Sequence, residues 1–264
     1  RLVSDGDDAF KWTPDGAGGP QVLWRGQAVA RLVAGASLLK PAVAAMADDL
    51  LETAGREQLR RRTQVWLDAI VDAVFCPLTA ALSGSGLSGV ARGLVFQIAE
   101  NLGSIPRRPV EGQIDALGRD GRKSLKRLGI TIGRHWLYMP SLTKARAVAL
   151  RGLLWGLWNG VDVAAPPPGR VSVAVDAAAP AGFFEAVGFA RFGSLAVRCD
   201  IVERLASLAW DLARKKPFAL AGETGVPLMS LAGCGADQMA EILGGLGYNA
   251  KPDKDGVWQI SHAR

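Results

Sequence analysis

Between Arg119 and Trp158 the sequence reads RDGRKSLKRLGITIGRHWLYMPSLTKARAVALRGLLWGLW, and its punctuation leaves few local structures open. Arg119, Arg122, Lys123, Lys126 and Arg127 follow steps of 3, 1, 3 and 1, which places them on one side of a helix. Leu117, Gly121, Ser124, Leu125 and Leu128 fall on the opposite, packable side. Gly129 stands where a helix ends in a left-handed residue. Ile130 to Met139 alternates with period two, as a strand does, and carries Arg134, His135, Trp136 and Tyr138. Pro140 stops that strand, and Ser141 is placed to cap a second helix from Leu142 to Trp158.

Charge gives this stretch its functional interest. Arg119 to Arg151 holds nine Lys/Arg against one acid, whereas the whole chain carries only +6, so the remaining residues are slightly acidic. A basic helix beside aromatic residues is a surface for a phosphate backbone with base contacts. The candidate nucleic-acid-binding residues are therefore Arg119, Arg122, Lys123, Lys126, Arg127, Arg134, His135, Trp136, Lys144 and Arg146. The plainer alternative is a solvated helix face with Trp136 in the core.

The rest of the chain reads as mainly α with small β elements, an α+β fold with a helical body, an N-terminal β meander and winged-helix-like modules. Turn signals at Asp5-Gly6, Pro14-Asp15-Gly16, Gly18-Gly19-Pro20 and Arg25-Gly26 divide residues 1–36 into short strands. Residues 37–104 read as helical from 38 onward, with Leu59, Trp66, Ile70 and Ala73 as the apolar stripe and Pro77 as an interruption. Arg56 and Arg60 to Arg62 oppose the helix dipole there and require acidic neighbours or a phosphate. Ser83 to Ser88 reads as a flexible joint before a helix over 88–102, and Ser104 to Pro109 as a stiff linker. The basic module occupies 105–165. Residues 166–264 form an α+β region: strands at 171–175 and 189–197, a helix capped by Asp200, then two short helices and a hairpin turning at Asp255-Gly256. Leu243-Gly244-Gly245-Leu246-Gly247 echoes Leu125-Lys126-Arg127-Leu128-Gly129, with Asp237 and Glu241 in place of the basic residues.

Catalytic motifs are missing from the sequence. There is no GxxxxGK[ST] phosphate loop, HExxH or GxSxG. Phe183 to Phe189 is similar to an acetyltransferase segment, but the glycine-rich pyrophosphate turn of those enzymes is lacking. His135 and His262 are isolated, and Cys76, Cys199 and Cys234 read as reduced core thiols of a cytoplasmic protein. No apolar run approaches the length of a membrane span, so no membrane partner is expected, and the start at Arg1 without Met reads as a trimmed fragment.

The segments RGLVFQIAENLGSIPR, LKRLGITIGRHWLYMPSLTKARAVALRGLLWGL, FFEAVGFARFGSLAVRCDIVERLA and LMSLAGCGADQMAEILGGLGY resemble the region after the motor in alphaproteobacterial DExH-type helicases similar to the mitochondrial degradosome RNA helicase. The resemblance runs through most of the chain. It implies a C-terminal accessory region that holds single-stranded nucleic acid, RNA ahead of DNA with both left open, against upstream helicase motor domains. ATP and Mg are then expected only in that motor, with no cofactor in this segment. The competing expectation is a structural or protein-interaction module whose basic face docks an acidic partner.

Overall fold

The computed structural model describes residues 5–262 except 15, 17, 47–52 and 85, so Asp15 of the second turn signal and Ser85 of the joint lie outside the described residues. With about 49% helix and 23% strand in small antiparallel sheets, the chain is an α+β mix. It divides into two compact units, residues 1–76 with 149–165 and residues 77–148 with 166–264.

In the first unit β1 (Phe10–Thr13), β2 (Gln21–Trp24), β3 (Gln27–Ser37) and β4 (Lys40–Ala45) form an antiparallel meander in sequence order. Arg25 and Gly26 both take positive φ between β2 and β3, the turn that matches strand twist. The strand β4 corrects the expectation of helix from residue 38. Its paired residues include Val43 and Ala42, and its register with β3 slips between Val33 and Ser37, which a helical pattern search cannot register. The helix α1 (Thr53–Leu82) follows and runs through Pro77 without ending. Its buried positions include Leu59, Thr63, Trp66, Leu67, Val71 and Phe75, so the stripe is rotated from the expected one, and Ala73 is exposed. Gln64 accepts from Val43 N and donates to Pro41 O, both at 3.0 Å, and so satisfies backbone groups of the edge strand. Arg60, Arg61 and Arg62 near the helix start have acidic partners, as the structural explanation requires. Glu57 accepts from Arg60 and Arg61, whose hydrogen bonds hold its carboxyl down to about 2. Arg62 donates to Asp7 at 2.7 Å and lies over the Phe10 ring. Among the described residues Ala54–Leu82 is long and apolar enough to cross a membrane by length and composition, which corrects the sequence expectation. Its buried stripe and its Gln64 contacts are those of a helix covering a sheet.

In the second unit one arrangement occurs twice. The first copy comprises α2 (Gly89–Glu100), β5 (Ser104–Pro106), α3 (Glu111–Ala116), α4 (Gly118–Arg127), β6 (Thr131–Ile132) and β7 (Trp136–Tyr138), with sheet order β5-β7-β6. After it come α5 (Ala145–Asn159), which ends in the first unit, and β8 (Ser172–Ala174), α6 (Phe183–Ala186), β9 (Phe189–Phe192) and β10 (Leu195–Arg198). The second copy comprises α7 (Cys199–Ala213), β11 (Phe218–Ala219), α8 (Gly222–Ala232), α9 (Ala236–Gly245), β12 (Tyr248–Pro252) and β13 (Trp258–His262), with sheet order β11-β13-β12. In both, the strand between the first two helices pairs with the last strand of the terminal hairpin. The echo in sequence falls at equivalent places. Leu128 and Leu246 close α4 and α9 with ψ of 4° and 0°, and Gly129 and Gly247 follow with φ of 77° and 93°. That left-handed glycine turns each helix into its hairpin.

Several boundaries differ from expectation for tertiary reasons. The single strand expected over 130–139 is a hairpin, with Arg134 and His135 in its turn. Residues 104–106 are no linker: Ser104, Ile105 and Pro106 pair with Tyr138, Leu137 and Trp136, and Ser104 is fully buried. Ser141 lies inside a 3-10 turn, Pro140–Thr143, and the helix starts at Ala145. Residues 189–197 fold back at Gly193, φ 52°, into β9 and β10. Asp200 sits in the first turn of α7 instead of capping it, and accepts two hydrogen bonds from Arg198, the N-cap residue. Of the cysteines, Cys199 is buried but Cys76 is exposed, which corrects the expectation of three core thiols.

Candidate nucleic-acid interface

The helix α4 is as amphipathic as its spacing predicts. Leu117 and Leu125 are buried, while Arg119, Arg122, Lys123, Lys126 and Arg127 are all exposed. Arg122 donates to the Ile114 carbonyl at 2.9 Å and lies 3.9 Å from Asp115, which anchors it to α3. Lys123 stands 3.9 Å from Asp120, an exposed pair worth little. Among the described residues Arg119, Lys126 and Arg127 have neither an ion pair nor a side-chain hydrogen bond. The helix therefore presents five cations over a rise of about 12 Å, of which three are uncompensated.

The hairpin residues do not join that face. Glu203, on α7, accepts backbone hydrogen bonds from Arg134 at 2.7 Å, His135 at 2.7 Å and Trp136 at 2.8 Å. Gly133 makes room for this, because a Cβ there would overlap the Glu203 carboxylate. The Arg134 guanidinium lies 4.7 Å from the Trp210 ring centroid, again on α7. Burial lowers the His135 pKa, with Arg134 and Arg107 acting in the same direction and Glu203 against it. Trp136 is 4% exposed and belongs to one core with Val197, Val202 and Leu205, so it is withdrawn from the interface as a base-stacking residue. Tyr138 shares that core, and burial pushes its phenol up to about 12. Lys144 and Arg146 are exposed, but at the start of α5 and not on α4. Arg151 is fully buried and contributes nothing to the exposed charge.

Glu203 is the residue that sequence reasoning missed. On α7 it is one acid among helix-surface charges, and the only local clue is Gly133 across the chain. Its carboxylate sits in a row of three consecutive N–H donors, a concavity that fits an anion. Here the protein supplies the anion itself.

The second copy lacks an equivalent basic helix. On α9 Asp237 accepts from the Trp258 indole N–H at 2.7 Å. Glu241 lies against the Gly193 turn of the β9–β10 hairpin, and Gly245 lies against the Phe192 ring. The side of α9 that corresponds to the basic face is thus engaged within the chain. Among the described residues no group of three or more His, Cys, Asp and Glu is placed to hold a metal ion. No protein-family model, no curated protein and no solved structure matches this chain.

Proposed function

We propose that this chain is a nucleic-acid-binding accessory region of an ATP-dependent helicase, and that α4 is its contact with the phosphate backbone. Each helix–strand–helix–helix–hairpin copy is read as a winged helix, with α4 and α9 in the position of the groove-facing third helix. The observation that carries the reading is the contrast between them. The helix α4 exposes Arg119, Arg122, Lys123, Lys126 and Arg127, whereas α9 exposes Asp237 and Glu241 at the corresponding positions, in contact with Trp258 and the Gly193 turn. The link to a helicase motor rests on the sequence resemblance.

Replacing Arg122, Lys123, Lys126 and Arg127 together by Gln tests the reading. Gln keeps helix propensity and much of the aliphatic stem, and all four side chains are exposed, so circular dichroism should be unchanged. Fluorescence anisotropy at several salt concentrations should show weaker binding. The log-log salt slope should flatten by about 0.7–0.9 for each phosphate no longer neutralised. Unchanged affinity and slope in the folded variant would remove α4 from the nucleic-acid path and leave an acidic protein as the partner to seek.

A companion variant separates the two copies. Asp237→Ala with Glu241→Ala should leave nucleic-acid affinity level or slightly raised, because these carboxylates repel phosphate. Removing the hydrogen bond to Trp258 should cost about 1 kcal/mol of stability, read by thermal melting. A clear loss of binding in the folded double variant would reverse the roles of α4 and α9.

A further inference from the structure

We infer that the polymer held by α4 is a duplex with an open major groove, B-form DNA, and that α4 makes this contact without its hairpin. The inference rests on the proposed function and names its substrate class. Three features of the first copy lead to it.

The first feature concerns aromatic rings. Sequence-tolerant binding of single strands depends on aromatic platforms for the bases. Across α3, α4, β6 and β7 the aromatic residues are Trp136 and Tyr138, 4% and 8% exposed and both in the core. The face that carries the charge thus has cations and no platform. Phe96, 55% exposed on α2, is the nearest candidate in sequence and lies outside α4 and the hairpin.

The second feature is shape. Arg119 to Arg127 runs along one side of a single helix for about 12 Å. A B-form major groove, about 12 Å wide, admits an α-helix, and its phosphates flank the helix on both sides. An A-form duplex has a deep, narrow major groove that excludes one. The single strand implied by the resemblance had Trp136 as its stacking candidate in this copy, and the burial of that ring removes the stacking support.

The third feature is the hairpin. In a helix-and-hairpin reader the hairpin tip is free to lie along the backbone. Here Glu203 occupies its three consecutive N–H donors, and Arg134 is turned onto Trp210. The tip is engaged by α7 before any ligand arrives, which leaves the helix as the reader.

The test uses the full chain with four labelled probes: a 16-base-pair DNA duplex, the RNA duplex of the same sequence, and the corresponding DNA and RNA single strands. The DNA duplex should bind at least tenfold tighter than any of the others. Its log-log salt slope should approach about −4.5, the value for five neutralised phosphates at roughly 0.9 each. The four-Gln variant should abolish most of that slope, while Arg134→Gln and Phe96→Ala should bind the DNA duplex as the parent chain does. Single strands bound as tightly as the DNA duplex, but still weakened by the four-Gln variant, would overturn this inference and leave the proposed function standing. An RNA duplex bound equally well would overturn groove insertion. A drop in duplex affinity in Arg134→Gln would return the hairpin to the interface and overturn the helix-only mode. Failure of all four probes to bind would overturn both readings.

Discussion

Trp136→Ala should lower the melting temperature by about 6–20 °C. A buried Trp→Ala change costs about 3–5 kcal/mol, and each kcal/mol moves the melting point by about 2–4 °C in a protein of this size. The large effect follows from where the ring sits. β7 is the central strand of β5-β7-β6, and Trp136 pairs there with Pro106. Its side chain enters a core that also contains Val202 and Leu205 of α7. The change therefore opens a cavity where the first copy meets the second, and the loss is felt by both. Trp136→Phe should recover part of the stability, because it retains most of the apolar volume. A stacking residue would behave in the opposite way, with affinity falling and the melting point hardly moving. Unaltered thermal stability in Trp136→Ala would contradict the burial described above.

Glu203→Ala should cost about 2–3 kcal/mol and shift melting down by roughly 4–12 °C. One carboxylate accepts from three consecutive backbone N–H groups, and alanine leaves all three without their partner. The figure is kept well below three full penalties because Arg134 is exposed and His135 and Glu203 are only half-buried, so water replaces part of the loss. Glu203→Gln should fall between the two. Its oxygen still accepts, but its NH2 faces an N–H and repels it. Gly133→Ala should resemble Glu203→Ala, since the added Cβ would displace the same carboxylate. Hydrogen exchange gives the specific readout: the amides of Arg134, His135 and Trp136 should lose protection in Glu203→Ala, and distant amides of α2 should not. Equal deprotection across the first copy would mean that Glu203 supports the whole fold and not this turn.

These two residues show how far local pattern reaches in this chain. Residues whose structure depends on near neighbours were legible. The face of α4 follows from 3.6-residue periodicity, and Gly129 from the positive φ that ends the helix. The first strands of the meander follow from their turn residues. The two helices α8 and α9 and the closing hairpin at Asp255-Gly256 follow from a Gly-Cys-Gly break and a second turn signal.

Other features needed partners distant in sequence. Ser104-Ile105-Pro106 has the composition of a linker and becomes a strand because β7 offers it a hydrogen-bonding edge. Trp136 alternates with its neighbours as a half-exposed strand residue would, yet Trp136, Leu137 and Tyr138 are all buried because the strand has structure on both faces. Arg134 turns its guanidinium onto Trp210, and Glu203 reaches a turn 67 to 69 residues away. The amino-acid sequence by itself determined which helix is basic and where it ends, because periodicity and glycine stereochemistry are local. Only tertiary structure decided which basic residues remain free, since that depends on carboxylates, rings and strand edges brought together by folding.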